Sequence, residues 1–435
     1  MEIQGFVYDE KKKRYFRLTP DSKLNDCVKK KISLQNAVHE RKQIQPAKRK
    51  PLFIPDAVSF RESRLMSCYS NYSLQECVLH ARLSALKKQK EVDVELYDFR
   101  GNEMKHATCE YMIGKPENDL LVATWRNKDG YILERICVTE IVDEGVSQFG
   151  QRDKQLVNAF PPANKVVDFE AGGDQNSDYD VIMCLTNHLK PDSTFSSLSI
   201  YFETREAERA RFIADHNLNF EFHEAFNACA GILPHTFAIG GQNVIRLFKP
   251  FGQSNNNLRP SFDDHTSFKV KGIVSSLKFD SNGKTFFAGT NKGKIHRFDV
   301  NVKKEIQTLN LKTRSIVYLH PLQNSNQLIA SCHENDLLLV DFRMPNRHLL
   351  SYSGHVNDCK KIPVSVDEAM GIVCCEGKDS VVRFWSLQSG KLLHSLIPES
   401  NANEDCVWFS HSWKCCQRSP KALMFGTASH MSVYF

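Results

Sequence analysis

The chain has 435 residues, 25% of them charged and 41% hydrophobic, too apolar for wholesale disorder and long enough for two or three ordinary domains or one large repeat architecture. Its net charge of +6 divides unevenly: residues 1–90 hold 20 Lys/Arg against 9 Asp/Glu, a net +11, and the remainder carries −5. No stretch approaches ~20 uninterrupted apolar residues, which argues against a membrane-spanning helix.

The first sixteen residues, MEIQGFVYDEKKKRYF, lack the apolar run of a secretory signal, so an intracellular protein, nuclear or cytoplasmic, is expected. In that reducing setting the 14 cysteines read as small buried residues rather than disulfides. Within residues 1–58, a basic arm, Gly5–Asp9 and Arg14–Leu18 put aromatics on two limbs around a Lys-rich centre and predict a hairpin. Lys48-Arg49-Lys50-Pro51 has the composition of a nuclear-import patch. Residues 59–90 hold two Ser-x-x-Glu capping boxes, Ser59–Glu62 and Ser73–Glu76, and predict a helical pair turning near Asn71. The second helix carries a stripe of Leu74, Cys77, Val78, Ala81, Ala85 and Leu86, flanked by Leu79 and Leu83, with Lys87, Lys88 and Lys90 near its C-terminus. Such a stripe packs on the body of the protein or enters a partner's groove, and helical periodicity does not choose between these.

From residue 91 to 435 short apolar runs alternate with polar turns, as in Gly272–Phe279, Thr285–Ala288 and Lys294–Phe298, separated by Asn282-Gly283 and Lys292-Gly293. Phe279–Asp299 resembles the WD repeat, and SGHVND…EGKDSVVRFWSL resembles it more fully, with Gly354-His355, Asp379 and Trp385-Ser386. In that repeat the histidine and the turn aspartate share a hydrogen-bond network, and the resemblance implies structural roles for His355, Asp379 and Trp385. Residues at the Trp position recur as Tyr201, Phe248, Phe298, Val340, Trp385 and Tyr434, at intervals of one blade each, with a looser unit ending near Ile136. The expectation is an all-β, seven-bladed WD-type β-propeller. Tyr434 would close the third strand of the last blade, and Val92–Phe99 would supply the fourth.

Enzyme motifs are missing. Gly283-Lys284-Thr285 lacks the earlier glycine and following helix of a phosphate loop, and no GxSxG or HExxH occurs. His411, Cys415 and Cys416 are too few ligands for a metal, so neither metal nor cofactor is expected. Asp341 and Arg343 stand apart, because only one blade has Asp-x-Arg after the Trp position. From the residues alone the favoured reading is a turn capped by the aspartate with a solvated arginine, but a guanidinium there also has the fork geometry for bidentate contact with a partner.

Asp-x-Arg at this place resembles the WDxR box of the WD-repeat substrate receptors of cullin-4 RING ubiquitin ligases, with Val340 in place of Trp. The signature GFVYDEKKKRYFRL, the helix containing ARLSALKK and the stretch Ile329–Leu396 are similar to one branch of that family. The resemblance implies a non-catalytic specificity subunit. Asp341, Arg343 and the helices at 59–90 would dock on the ligase's adaptor protein, and another face would present a protein substrate for ubiquitination. The competing class is a propeller scaffold of a nucleic-acid-associated or other multiprotein assembly, disfavoured because no aromatics interleave with the basic arm to stack bases.

Overall fold

The computed structural model describes residues 6–9, 14–17, 74–86, 88–93, 100, 107–115, 120–143, 146–172, 179–189, 194–204, 218–232, 236–248, 265–313, 315–324, 326–344, 347–357, 361–397, 406–410, 422–427 and 430–434. The chain divides into two compact units, 1–55 and 56–435. In the first, β1 (Phe6–Asp9) and β2 (Arg14–Arg17) form the expected antiparallel hairpin, with Tyr8 opposite Tyr15. The basic run at 48–51 and the first capping box fall outside the described residues.

The second unit begins with helix α1 (Leu74–Ser84) and strand β3 (Lys88–Asp93). Four-stranded antiparallel sheets then follow one another. The first contains β4 (Thr108–Lys115), β5 (Leu120–Asn127), β6 (Gly130–Asp143) and β7 (Val146–Phe160). The next contains β8 (Asn164–Gly172), β9 (Tyr179–Leu189), β10 (Thr194–Thr204) and β11 (Leu218–Phe222). A six-stranded sheet comes third, with β12 (Phe226–Ile232), β13 (Thr236–Phe248), β14 (His265–Phe279), β15 (Thr285–Thr290), β16 (Lys294–Asp299) and β17 (Lys304–Asn310). Then come β18 (Ile316–Pro321), β19 (Gln327–Cys332), β20 (Leu337–Asp341) and β21 (His348–Ser351). They are followed by β22 (Ser365–Asp367), β23 (Ile372–Glu376), β24 (Val382–Ser386) and β25 (Leu392–Leu396). The last sheet joins β26 (Cys406–Ser410), β27 (Ala422–Thr427) and β28 (His430–Tyr434) to β3.

The architecture is an all-β propeller, but the expectation of seven blades is corrected: among the described residues of the second unit, five sheets are four-stranded and one has six strands. The reason lies in β13 and β14. Both run on through the break in register between Gln242/Val244 and Ile273/Lys269, where Asn243 (φ 62°) and Gly272 (φ 113°) turn the backbone without ending the strand. That sheet consequently carries two of the Trp-position markers, Phe248 and Phe298.

First strands pack beside one another around the ring: β8 against β4 and β12, β14 against β18, and β26 against β22 and β4. The Gln323 amide donates to Glu368 across the remaining junction at 2.7 Å. Ring closure follows the expected scheme with a shift. β28 pairs antiparallel with β3, Met431 opposite Val92, but β3 begins at Lys88, so Lys88 and Lys90 belong to the closing strand and not to the helix. α1 stops earlier because the Ser84 hydroxyl donates back to the His80 carbonyl and the Ala85 and Leu86 amides tighten the last turn.

The core is rich in large aromatic side chains, with Trp125, Trp385, Phe169, Phe226, Phe286 and Phe298 all at 1% exposure or less. The described cysteines, Cys77, Cys109, Cys184, Cys229, Cys332, Cys374, Cys375 and Cys406, are free and buried. Burial pushes the Cys332 thiol up to about 12. The centre of the ring is polar. Glu170 meets Lys278 at 2.6 Å and Lys115 at 3.3 Å, and Asp168 meets Lys361 at 2.6 Å, which ties two sheets that are not neighbours. Burial would raise the Glu170 carboxyl, but the two lysines hold it down to about 2.

Candidate protein-docking site

In antiparallel sheets of this order, the turns after every third strand emerge at one end of the ring. Three of them can be compared directly. After β16, Asp299 accepts from the amides of Asn301 (2.8 Å) and Val302 (2.7 Å). After β24, the Ser386 hydroxyl accepts from the Ser389 amide at 3.3 Å. After β20, Asp341 accepts from the Arg343 amide at 2.9 Å, and the same side chain then does more. A short polar residue thus caps each turn by an Asx- or ST-type bond, a local property of the sequence.

What distinguishes the β20 turn is its arginine. Arg343 Nε lies 3.0 Å from Oδ1 and 3.2 Å from Oδ2 of Asp341, and Nη2 lies 2.6 Å from Oδ2. Asp341 is buried, and Gln327 Nε2 donates to its Oδ2 at 3.0 Å, so the carboxylate is fixed from behind. The hydrogen bonds from Arg343 hold its carboxyl down to about 2, against the raising effect of burial. The arginine side chain is 61% exposed, and its Nη1 has no partner among the described residues. The guanidinium is therefore held in one orientation with donors facing outward. A lysine, with one point charge and no second fork, would not be fixed this way.

Phe342 anchors the turn between them. It is 2% exposed, its ring lies 5.2 Å from that of Phe287, and its carbonyl accepts from Gln307 Nε2 at 2.6 Å. Val340, at the Trp position, is 1% exposed in the same apolar cluster as Phe342, Phe287 and Leu328. The small residue at 340 leaves the turn intact because the phenyl ring two positions later secures it to the neighbouring sheet.

The three structural candidates lie in the next sheet. Trp385 is fully buried and its Nε1–H donates to the Ser353 carbonyl at 2.9 Å. His355 lies against it, with ring centroids 6.3 Å apart. The expected His355–Asp379 link is not made. Asp379 binds the Arg383 guanidinium instead, at 2.9 Å and through a second bond, because an arginine four residues on offers two donors to one carboxylate. Among the described residues His355 reaches only the Ser331 hydroxyl, at 3.5 Å, and burial, then the Arg383 charge, lower its imidazole to about 4. Asparagines clip neighbouring segments together: Asn243 accepts from the Gly272 amide (2.9 Å), Asn291 from Ile273 (2.9 Å) and Asn335 from Asn357 (2.7 Å). Sequence reading missed these. The signal available was an Asn at a turn of the backbone, within β13 and after β15 and β19.

Helix α1 settles the alternative left open by its stripe. Leu79, Leu83 and Leu86 bury themselves among Ile372, Phe384, Leu393, Phe409 and Tyr434 of the propeller, with Cys77 also buried. The buried face is rotated from the expected one: Leu79 and Leu83 form its centre and Ala85 is exposed. Glu76 accepts from the Ser389 hydroxyl and lies 3.8 Å from Lys391, which fixes the start of the helix at the turn after β24. That is the same end of the ring as Arg343, one sheet away.

The phosphate-loop echo is accounted for. Asp280 accepts from the Thr285 amide (3.2 Å) and hydroxyl (3.0 Å), so Gly283-Lys284-Thr285 is a self-satisfied turn. No group of three or more His, Cys, Asp or Glu stands ready for a metal among the described residues, and His411, Cys415 and Cys416 lie outside them. Among the described residues, no helix is long and apolar enough to cross a membrane.

A family model described as the DDB1- and CUL4-associated factor 4 beta-propeller domain matches residues 261–429. The chain is 28% identical over 165 residues to the DDB1- and CUL4-associated factor 4 of Bos taurus and 27% identical over 165 residues to that of Homo sapiens, in each case over 36% of this chain and 33% of the relative. It is 30% identical over 145 residues to the DDB1- and CUL4-associated factor 4-like protein 2 of Homo sapiens, over 32% of this chain and 36% of the relative. The chain thus spans about a third of the length of the curated relatives it matches. These names are of proteins associated with DDB1 and CUL4, not of enzymes. Over the part of the ring that holds Asp341, Arg343, His355, Asp379 and Trp385, this chain is similar to the propeller domain of DDB1- and CUL4-associated factor 4.

Proposed function

We propose that the protein is a non-catalytic substrate receptor of a cullin-4 RING ubiquitin ligase, nuclear or cytoplasmic, which docks on the DDB1-type adaptor and presents a protein substrate for ubiquitination. The observation that carries this reading is Arg343, exposed yet locked to a buried carboxylate, at the turn after β20 where Asp-x-Arg follows the Trp position. Pre-orientation lowers the entropy lost on docking, and arginine is a favoured anchor at protein interfaces. Similarity over residues 261–429 to a factor named for DDB1 and CUL4 supports the same partner. α1 contributes by its position at the same end of the ring and by the face turned away from the propeller, since Leu79 and Leu83 are already used.

The test is binding of purified adaptor to wild type and to Arg343→Ala, with melting temperature as a control. We expect at least tenfold weaker binding with an unchanged melting temperature. Equal affinity would remove Arg343 from the interface, and absence of binding by the wild type would remove the receptor assignment. Affinity purification of both proteins followed by mass spectrometry then separates substrates, retained by either, from ligase components, depleted in the variant.

A further inference from the structure

The opposite end of the ring carries a charge cluster that adaptor docking does not use. Residues 268–313 hold ten Lys/Arg against three Asp/Glu, whereas the rest of residues 91–435 holds 27 against 39. Three tight turns bring four of these lysines together. Gly272 lies so close to the neighbouring turn that a Cβ there would sit 2.5 Å from Asn291 Oδ1 and 3.2 Å from Lys292 Cγ, which places Lys271 beside Lys292. Gly293 (φ 67°) packs against Thr313, where a Cβ would meet the carbonyl oxygen at 2.1 Å, and its own carbonyl accepts from the Leu311 amide at 3.0 Å. Lys294 pairs with Asn310, and Lys312, at φ 59°, completes the third turn with its amide on Asn310 Oδ1 at 3.1 Å. Lys271, Lys292 and Lys312 are exposed and Lys294 is half-buried. None of the four forms an ion pair among the described residues.

We propose that the turns at 271–273, 291–294 and 311–313 form a docking surface for a short acidic polypeptide segment, a run of Asp/Glu on a partner protein. Charge complementarity points to an anion, and the surroundings choose the kind. Of the phenylalanines in this segment, Phe268, Phe286, Phe287 and Phe298 are buried and Phe279 is half-buried at the other end of its strand, beside Asp280, so these turns offer no platform for stacking bases. The next turn of the ring carries Glu334 and Asp336, and the rest of the body is net negative, so a long uniform polyanion would be repelled beyond the patch. A short carboxylate run ends before that boundary. Because the patch lies at the end of the strands away from Arg343, a segment held there leaves the adaptor-docking turn free.

The experiment is fluorescence anisotropy of a labelled Asp/Glu octapeptide with the full chain. The variants are Lys271→Ser/Lys292→Ser/Lys294→Ser/Lys312→Ser and, at the other end of the ring, Lys303→Ser/Lys304→Ser. The fourfold variant is expected to bind at least tenfold more weakly and the double variant as wild type, with affinity falling between about 50 and 200 mM salt. Equal binding by the fourfold variant, or equal losses in both, would overturn the proposal. So would a DNA duplex of about 20 bp that binds more tightly than the peptide and is lost in the fourfold variant, which would make the patch a nucleic-acid surface. Arg343→Ala is expected to leave peptide binding unchanged, so this result stands or falls separately from adaptor docking.

Discussion

Two neighbouring sheets use the same repeat in opposite ways. In β22–β25 the repeat's signature residues turn inward: Trp385 is buried and bonded to Ser353, His355 is neutral beneath it, and Asp379 is occupied by Arg383. In β18–β21 the Trp is Val340 and the His is absent, yet Asp341 holds an arginine out to solvent. The sheet that matches the repeat most fully has its signature committed to stability, and the degenerate one presents a contact. Closeness to a structural consensus and readiness to bind are separate properties, since consensus residues are those that satisfy one another.

The comparison breaks most sharply under Trp385→Ala. Loss of a fully buried indole and its hydrogen bond should cost about 3–5 kcal/mol and lower the urea midpoint accordingly. A loss below about 1 kcal/mol would show that the signature is not what holds the sheet. Next in size is a pH effect. His355 has its imidazole lowered to about 4 from the ordinary 6.5 by burial and the Arg383 charge. A lowered folded value means that the unfolded chain binds the proton more readily. The stability that this neutral histidine confers is therefore present above pH 6.5 and drains away as pH falls toward 4. His320, also lowered to about 4, acts in the same direction, so His355→Gln should flatten the slope of stability against pH in that window without abolishing it. An unaltered slope would put the proton elsewhere. The smallest effect belongs to Val340→Ala, where two methyl-sized groups leave the cluster around Phe342, for about 1–2 kcal/mol. Adaptor binding should survive that change, because Phe342 and Asp341 position Arg343; a parallel loss of binding would mean that the Trp position does orient the turn.

Much of this was legible in the chain, for reasons that differ by residue. Asp341 and Arg343 were readable because a side chain capping its own turn is a local event, complete within three residues. Closure by β3 was readable in outline because Tyr434 leaves a third strand in need of a fourth. The face of α1 was not: the propeller surface around Phe384 and Leu393, more than 300 residues away, decides that Leu79 and Leu83 lie inward. The His355–Asp379 expectation failed through competition, since Arg383 offers a carboxylate more than an imidazole can. Asn243, Asn291 and Asn335 were passed over as ordinary turn residues because their acceptors serve amides of other segments, which spacing does not reveal. The six-stranded sheet depends on two strands continuing through a register break, a matter of backbone hydrogen bonding on which apolar alternation is silent.

The pairing of β3 with β28 also sets a schedule. A ribosome adding ~5–20 residues per second needs roughly 17–70 s to go from the first residue of one strand to the last of the other. Throughout that interval the leading strand has no partner, the leucines of α1 have no surface to cover them, and the open flanks of the growing sheets are available to any passing strand. A newly made chain is therefore an unclosed arc until β28 emerges, and its yield depends on what shields that arc until then.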